Sequence, residues 1–217
     1  MARLDDSKEA VVSSIGATEV SKAQTTDHRT IAVTLARAFQ YDPLLVFAMP
    51  DPVRRARALM RIMVPELSHA RQHGEIWIAR RERRLLGAAA WFAPGTYKRG
   101  PFDETLNMIR LSPNAVATGA RSLRMMHLFS QVEAAHPTED HWYLRILGVD
   151  PLSQRSGLGG ALLGPGIVPC DSEGLPAYLE TQNSENLGWY ERFGFEVQRE
   201  ISVDRCPPVW TMRRAPR

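Results

Sequence analysis

The chain has 217 residues, enough to bury one full hydrophobic core. Hydrophobic residues make up 44% of it and charged residues 24%, ordinary globular values that exclude wholesale disorder and a fibrous fold. The net charge is +3 at pH 7, but the basic residues are scattered and not interleaved with aromatic ones, which argues against a nucleic-acid partner.

Length alone leaves one or two domains open, and we expect one, over residues 18–217. Residues 1–17 are small, polar and unpatterned, which indicates a flexible, loosely held tail. Strands are expected, in chain order, at 18–22, 75–80, 85–92, 141–149, 177–181, 195–203 and 209–213. Helices are expected at 27–39, 54–72, 105–111, 121–135 and 185–193, with one more after a glycine-rich turn at 154–160. That last helix contains Pro165 and Pro169, and because proline inside a helix costs about 3 kcal/mol we expect it to be short or kinked.

Two further features exclude classes of protein. The two cysteines, Cys170 and Cys206, form no CxxC pair and stand near no histidine at metal-ligand spacing, which argues against a disulfide scaffold or a metal site. No apolar stretch approaches membrane-spanning length, and residues 1–17 are too charged for a secretory signal. We therefore expect a cytoplasmic protein without metal or membrane partner.

The glycine-rich turn QRSGLGG at 154–160 directly follows a predicted strand and opens a helix. Glycines let the backbone approach a ligand, and the free amides of a helix N-terminus bind phosphate. A P-loop is excluded because Ala161 and Leu162 follow Gly160 where it needs Lys and Ser or Thr. A dinucleotide fold is disfavoured because the turn comes late in the chain, although Glu180 lies downstream where its acidic residue would be. A tight turn without a ligand also stays open.

Two segments carry a family resemblance. LGVDPLSQRSGLGGALL at 147–163 resembles the acetyl-CoA motif of the GNAT superfamily, in which a strand precedes Q/R-x-x-G-x-G/A, and YLETQNSENLGWYERFGFEV at 178–197 resembles the motif that follows it. TLARAFQYDPL at 34–44 and VWTMRR at 209–214 are similar to the same parts of a subgroup that includes puromycin N-acetyltransferase. The likeness covers most of the chain after the tail.

The resemblance implies an α/β (α+β) fold: a mixed, mostly antiparallel sheet of about seven strands flanked by helices and splayed at the fourth strand, 141–149. It implies acetyl-CoA as co-substrate, its pantetheine arm lying in that gap. The residues it assigns to the coenzyme are backbone groups of Leu147 and Val149 for the pantetheine amides, the loop Gln154, Arg155, Gly157, Leu158, Gly159 and Gly160 for the pyrophosphate, and the side chain of Asn186, in preference to Asn183, for the arm.

Acetyl transfer needs a neutral amine, a polarised carbonyl and a proton for the departing thiolate. Tyr190 matches the family tyrosine whose hydroxyl points at the coenzyme sulfur; an ordinary half-buried aromatic residue is the alternative. Arg145 stands where many relatives carry a carboxylate, so Glu180 becomes the candidate base, with a structural contact between strands as its alternative. His141 fits a strand-end histidine better than a base. For an amine of low pKa, water would suffice.

The sequence thus predicts a transferase that moves an acetyl group from acetyl-CoA to the amine of a small molecule, such as an antibiotic or another xenobiotic. One alternative is a protein or peptide N-acetyltransferase, which would want an open groove, whereas the segment 93–138 could cover the site. Another is a non-catalytic acyl-CoA sensor, motivated by Arg145 and opposed by Tyr190 and Asn186. Monomer and homodimer both stay open.

Overall fold

A computed structural model describes residues 13–15, 18–97 and 115–217 of the chain. The strands in these ranges are β1 (Ser13–Ile15), β2 (Thr18–Lys22), β3 (Glu75–Arg81), β4 (Arg84–Phe92), β5 (Trp142–Val149), β6 (Ala177–Thr181), β7 (Phe195–Ile201) and β8 (Val209–Arg214). The helices are α1 (His28–Ala38), α2 (Pro43–Ala48), α3 (Pro52–His73), α4 (Ala115–Ala134), α5 (Leu158–Glu173) and α6 (Leu187–Glu191). The predicted helix at 105–111 lies outside the described residues.

The eight strands form one mixed sheet in the spatial order β1-β2-β3-β4-β5-β6-β8-β7, in which only β5 and β6 run parallel. These two strands pair at three positions, from Trp142 with Ala177 to Leu144 with Leu179. Beyond Leu144, β5 keeps β4 as its neighbour as far as Val149, while β6 continues beside β8. The sheet is therefore open between β5 and β6, which confirms the predicted splay.

Helices cover both faces of the sheet. Helices α1 and α3 bury Leu35, Leu59 and Leu67 against one face, together with Tyr143 and Tyr178 of the central strands. Helix α5 buries a second cluster on the other face, which includes Trp91, Leu162, Leu179 and Tyr190. Residues on alternate positions of β6 thus belong to different layers, as a strand's period of two requires.

The structure adds helix α2 in the segment 41–52, for which no helix or strand was predicted. Asp42 caps this helix, because its side chain accepts hydrogen bonds from the amides of Leu44 and Leu45. Asp51 caps α3 in the same way, and in both places a proline follows the cap. Asp-Pro is therefore a helix start here, since proline is favoured at the first helical position.

The prediction of a short or kinked helix after the glycine-rich turn was wrong in length. Helix α5 continues through Pro165 and Pro169 for 16 residues. A residue before proline usually avoids the helical conformation because its Cβ meets the proline ring, and Gly164 has no Cβ. Pro165 is also buried, so its packing offsets part of the cost of the missing backbone hydrogen bond.

The N-terminal stretch also differs from the expected tail, because Ser13–Ile15 pairs with β2 as an extra edge strand. This strand explains why the sheet has eight strands where about seven were expected. None of the helices in the described part of the chain is both long and apolar enough to cross a membrane.

Candidate active site

The free edge of β5 faces the gap with main-chain groups. The amide of Asp150 donates to the carbonyl of Leu86 at 2.7 Å, so this residue is turned toward β4. Because hydrogen-bonding groups alternate in direction along a strand, the amides and carbonyls of Leu147 and Val149 point the other way, into the gap. The Gln154 side chain donates to the Val149 carbonyl at 3.2 Å and so lies at the mouth of the gap.

The glycine-rich turn presents amides at the end of this edge. Gly157 has a left-handed backbone (φ 83°) and immediately precedes α5, whose first internal bond runs from the Ala161 amide to the Gly157 carbonyl at 3.2 Å. The amides of Leu158, Gly159 and Gly160 lack an intrahelical acceptor and point out of the helix end. Arg155 also has a left-handed backbone (φ 59°). Residues other than glycine rarely adopt this conformation, and those that do cluster at functional sites.

Gly159 and Gly160 have a second role that the sequence did not suggest. A Cβ on Gly159 would lie 2.9 Å from the ring of Trp189, and a Cβ on Gly160 would lie 2.9 Å from the ring of Phe193. Both distances are shorter than real Cβ atoms allow. These glycines therefore let α5 approach the aromatic residues of and beside α6.

Asp150 fixes the start of the turn. Its side chain is 2% exposed and lies 3.2 Å from the guanidinium of Arg37 on α1 and 3.6 Å from that of Arg84 on β4. It also accepts from the Leu152 amide at 3.0 Å. The turn is thus tied to two other elements before it reaches the glycines.

Glu180 lies on the other face of the sheet, beneath α1 and α3. Its side chain is 9% exposed. One carboxylate oxygen accepts from the Tyr143 hydroxyl at 2.5 Å, and the other lies 3.4 Å from Nδ1 of His136. Tyr178, two residues earlier on the same face of β6, is buried beside it. Burial raises the pKa of Tyr143, so its hydroxyl stays protonated and donates.

Arg145 is the counter-charge of this cluster. It is the extra residue of a β-bulge, since Trp91 pairs with Leu144 and Ala90 with Ile146. Its guanidinium donates to the Tyr143 hydroxyl at 3.1 Å and to the buried carboxylate of Glu66 on α3 at 3.4 Å. An arginine thus neutralises two carboxylates at the position where the sequence led us to look for a base.

The pKa of Glu180 reflects these partners. Burial by itself raises the pKa of this carboxyl, but the hydrogen bond from His136, the charge of Arg145 and the hydrogen bond from Tyr143 together hold it below its usual value. Glu180 is therefore a carboxylate at neutral pH.

Tyr190 lies on the opposite face from Glu180, in the layer beneath α5, where it packs against Trp189 and Phe195. Burial raises its pKa well above the ordinary value, so the hydroxyl is a proton donor at any pH in the working range. The two predicted catalytic residues therefore stand on opposite faces of the sheet. Asn186 contacts Thr181 Oγ1 at 3.5 Å, whereas Asn183 caps the turn before α6.

Sequence reasoning missed four members of the Glu180 cluster: Glu66, Tyr97, His136 and Tyr143. They come from α3, the segment after β4, the turn after α4 and strand β5, so no local pattern joins them. The Tyr97 ring lies 4.5 Å from that of Tyr143 and 5.4 Å from that of His136. The one available signal was a pair of histidines around the start of a predicted strand: His136 lies just before it and His141 is its first residue.

Comparison with known proteins defines the class to which this fold and site belong. The chain is a member of the acetyltransferase (GNAT) family, whose model matches residues 44–195. It is 27% identical over 195 residues to an uncharacterised N-acetyltransferase of Schizosaccharomyces pombe, covering 85% of this chain and 76% of the relative.

Solved structures agree. A Corynebacterium glutamicum protein described as histone acetyltransferase HPA2 and related acetyltransferase is similar with a TM-score of 0.65 and 26% identity, over 93% of this chain and 98% of that one. The PaiA N-acetyltransferase of Thermoplasma acidophilum, solved with coenzyme A, shares the fold with a TM-score of 0.56 and 12% identity, over 91% and 98% of the two chains. The chain is thus an acyltransferase with acetyl-CoA as co-substrate.

Proposed function

We propose that a single domain spanning 18–217 transfers the acetyl group to the amine of a small molecule. Glu180 is the proton acceptor and Tyr190 the proton donor. The observation that carries the choice of a small acceptor is the cover over Glu180. Tyr97 and His136, from the two ends of the segment 93–138, pack on Tyr143 and leave only 9% of the Glu180 side chain exposed.

This cover disfavours a protein acceptor. A folded protein or a peptide needs an open groove to bring a main-chain or lysine amine to the base, whereas a small amine needs only a pocket. Carboxylates and aromatic rings around Arg145 offer both charge and stacking surface to such an amine. The resemblance to the subgroup of puromycin N-acetyltransferase supports an antibiotic or other xenobiotic as acceptor.

The coenzyme side follows from the open edge of β5. Leu147 and Val149 would pair with the pantetheine amides, and Asn186 lies near the same gap beside Thr181. The pyrophosphate would lie on the amides of the turn, for which the residues are Gln154, Arg155, Gly157, Leu158, Gly159 and Gly160. A helix N-terminus with three free amides is a suitable anion site.

The division of residues between the two faces suits the reaction. The amine nitrogen attacks the thioester carbonyl from the Glu180 face, and its proton passes to the Glu180 carboxylate directly or through a water molecule. The carbon–sulfur bond then breaks, and the Tyr190 hydroxyl supplies the proton that the thiolate needs. Tyr143 and Arg145 position the Glu180 carboxylate and keep it ionised.

Thiol release from acetyl-CoA tests this proposal. The acceptor panel holds small amines, including puromycin, aminoglycosides and polyamines, and peptides with free N-termini or histone-tail lysines. We expect release with a small amine, and about a hundredfold lower kcat in Tyr190→Phe and in Glu180→Gln at pH 7. Tyr41→Phe is the matched control, because Tyr41 is 78% exposed.

Two outcomes would contradict the proposal. Release with peptides alone would establish the protein acetyltransferase, the class named for the Corynebacterium glutamicum relative. Coenzyme binding by calorimetry without release on any amine would establish the sensor.

A further inference from the structure

Two histidines extend from Glu180 to the surface. Nε2 of His136 and Nε2 of His141 are 3.1 Å apart, and Nδ1 of His141 is 2.7 Å from the main-chain carbonyl oxygen of Glu139. Residues 138–140, just before His141, are exposed. With the contact of His136 to Glu180, three hydrogen bonds form one chain from the buried carboxylate to the protein surface.

The chemistry of the partners fixes the number of protons in this chain. A main-chain carbonyl only accepts, so Nδ1 of His141 carries hydrogen. One proton must also lie between the two Nε2 atoms, and one between His136 and the carboxylate of Glu180. Two neutral imidazoles and a carboxylate hold only two protons between them. The three groups therefore hold one additional proton and carry no net charge together.

The additional proton can reside on Glu180, His136 or His141. It passes from one of these positions to the next when a proton shifts within a hydrogen bond that is already present. His136 is taken as the resting position because it lies between the other two groups and is the imidazole in direct contact with the Glu180 carboxylate, at 3.4 Å. Burial, which lowers the pKa of His141, disfavours the outer position.

Other charged and titratable groups surround this chain of hydrogen bonds. Those on the same segment are Glu133, Glu139 and Asp140, and those on other elements are Glu66, Tyr97, Tyr143, Arg145, Tyr178 and Arg213. Arg213 pairs with Glu139 at 3.1 Å. Arg145 and Arg213 each pair with one carboxylate. The remaining acidic residues, Glu133 and Asp140, are exposed, so solvent screens their charge.

We propose that His136 and His141 form a proton relay, which carries the proton taken from the acceptor amine by Glu180 to solvent at His141. When the amine N–H bond breaks and an O–H bond forms on Glu180, His136 passes its Nε2 proton to His141. His141 then releases a proton to water at the exposed loop. His136 then carries hydrogen on Nδ1 and His141 on Nε2, so both neutral imidazoles change tautomer by exchange with water, which returns hydrogen to Nε2 of His136 and to Nδ1 of His141. The chain returns to its resting state when the Glu180 proton moves to the vacated Nδ1 of His136. The relay rests on the proposed role of Glu180, and both histidines act through it.

The first experiment follows the protons without turnover. Imidazole nitrogen chemical shifts of the unliganded protein, measured by NMR between pH 5 and 9, should show one imidazolium proton held jointly by His136 and His141 at pH 7. In Glu180→Gln that proton should be lost, because no carboxylate balances it. Two imidazoles that titrate independently of each other and of Glu180 would overturn the relay, whatever the activity.

The second experiment uses turnover of the wild-type enzyme and variants. We expect kcat/KM at pH 7 to fall about tenfold or more in His136→Gln and several-fold in His141→Ala, with the deficits shrinking toward pH 9, where hydroxide can take the proton. Added imidazole should restore activity to His141→Ala. His127→Gln, which removes an exposed histidine on α4, is the control and should behave as wild type. A deficit that is equal at every pH and insensitive to imidazole means a structural role and overturns the relay.

The two failures can be told apart. If Glu180→Gln keeps wild-type turnover, the proposed role of Glu180 is wrong and the relay has no proton to carry. If Glu180→Gln is inactive while His136→Gln and His141→Ala are fully active at pH 7, the proposed role of Glu180 as the base is retained and only the relay is rejected.

Discussion

The two sides of the gap between β5 and β6, which we call the coenzyme side and the acceptor side after the roles proposed for them, are made of different groups. The coenzyme side presents main-chain amides and carbonyls from β5 and the turn before α5, positioned by glycines and by the buried Asp150. The acceptor side presents side chains from α3, β5, β6 and the turn after α4, held by a network of charges around Arg145. Main-chain groups tolerate substitution of side chains, whereas a buried charge network depends on every member.

The largest effect on stability is therefore expected on the acceptor side. Arg145→Met leaves the buried carboxylates of Glu66 and Glu180 without their counter-charge, and breaking a buried ion pair from one side costs about 3 to 5 kcal/mol. The free energy of unfolding in urea measures this loss at pH 7. Arg213→Met is the control, because its partner Glu139 is exposed, and it should cost less than about 1 kcal/mol.

The pH dependence of the same variant gives a second check. In the wild type the pKa of Glu180 is lowered, so its contribution to stability is present above the pKa of the unfolded chain and is lost as the pH falls through the folded pKa. In Arg145→Met that pKa rises, and the deficit against wild type should shrink as the pH is lowered and the carboxylates protonate. A deficit that is constant down to pH 4 would show that Arg145 acts by packing.

The contrast between the sides also explains what the sequence could predict. Strand and helix periods located the sheet and most helices, and the motif at 147–163 located the turn, because each is a local pattern in consecutive residues. The parallel pair β5 and β6, and with it the gap, followed from family resemblance. On the coenzyme side most of the groups belong to the main chain, so the identities of the side chains matter little. A short motif with glycines is therefore enough to predict where this side lies.

The acceptor side could be predicted only in part. Glu180 was found because it ends a strand within the second motif, but Glu66 and His136 lie 114 and 44 positions before it in the chain. Their contact depends on how α3 and α4 pack on the sheet, which no single-sequence pattern encodes. Arg145 was noticed as a departure, yet its function as counter-charge needed the positions of both carboxylates.

The coenzyme side gives a smaller effect, on binding. Arg155→Glu places a negative charge on the turn, and we expect the Kd for coenzyme A to rise about tenfold, less in 1 M salt, because charge at a solvated turn is screened. Arg155 is exposed, so the fold should be unchanged. Calorimetry measures both conditions, with Arg199→Glu on β7 as the control. A loss of a thousandfold would show that a side chain, and not the main-chain amides, holds the pyrophosphate.

The smallest effect separates the two roles of the glycines in the turn. Gly159→Ala puts a methyl group 2.9 Å from the Trp189 ring. We expect this overpacking to cost about 2 kcal/mol, more than the gain of about 1 kcal/mol expected for alanine in a helix, and so to give a net destabilisation of about 1 kcal/mol. Gly188→Ala, in α6 beside the same tryptophan, meets nothing closer than 3.9 Å and should stabilise the protein slightly. Thermal unfolding of both variants, with and without coenzyme A, gives the comparison. If Gly159→Ala unfolds like wild type but no longer responds to coenzyme A, the glycine serves the ligand directly; if it unfolds earlier and still responds, it serves the packing of α5 on α6, and the amides alone bind the phosphate.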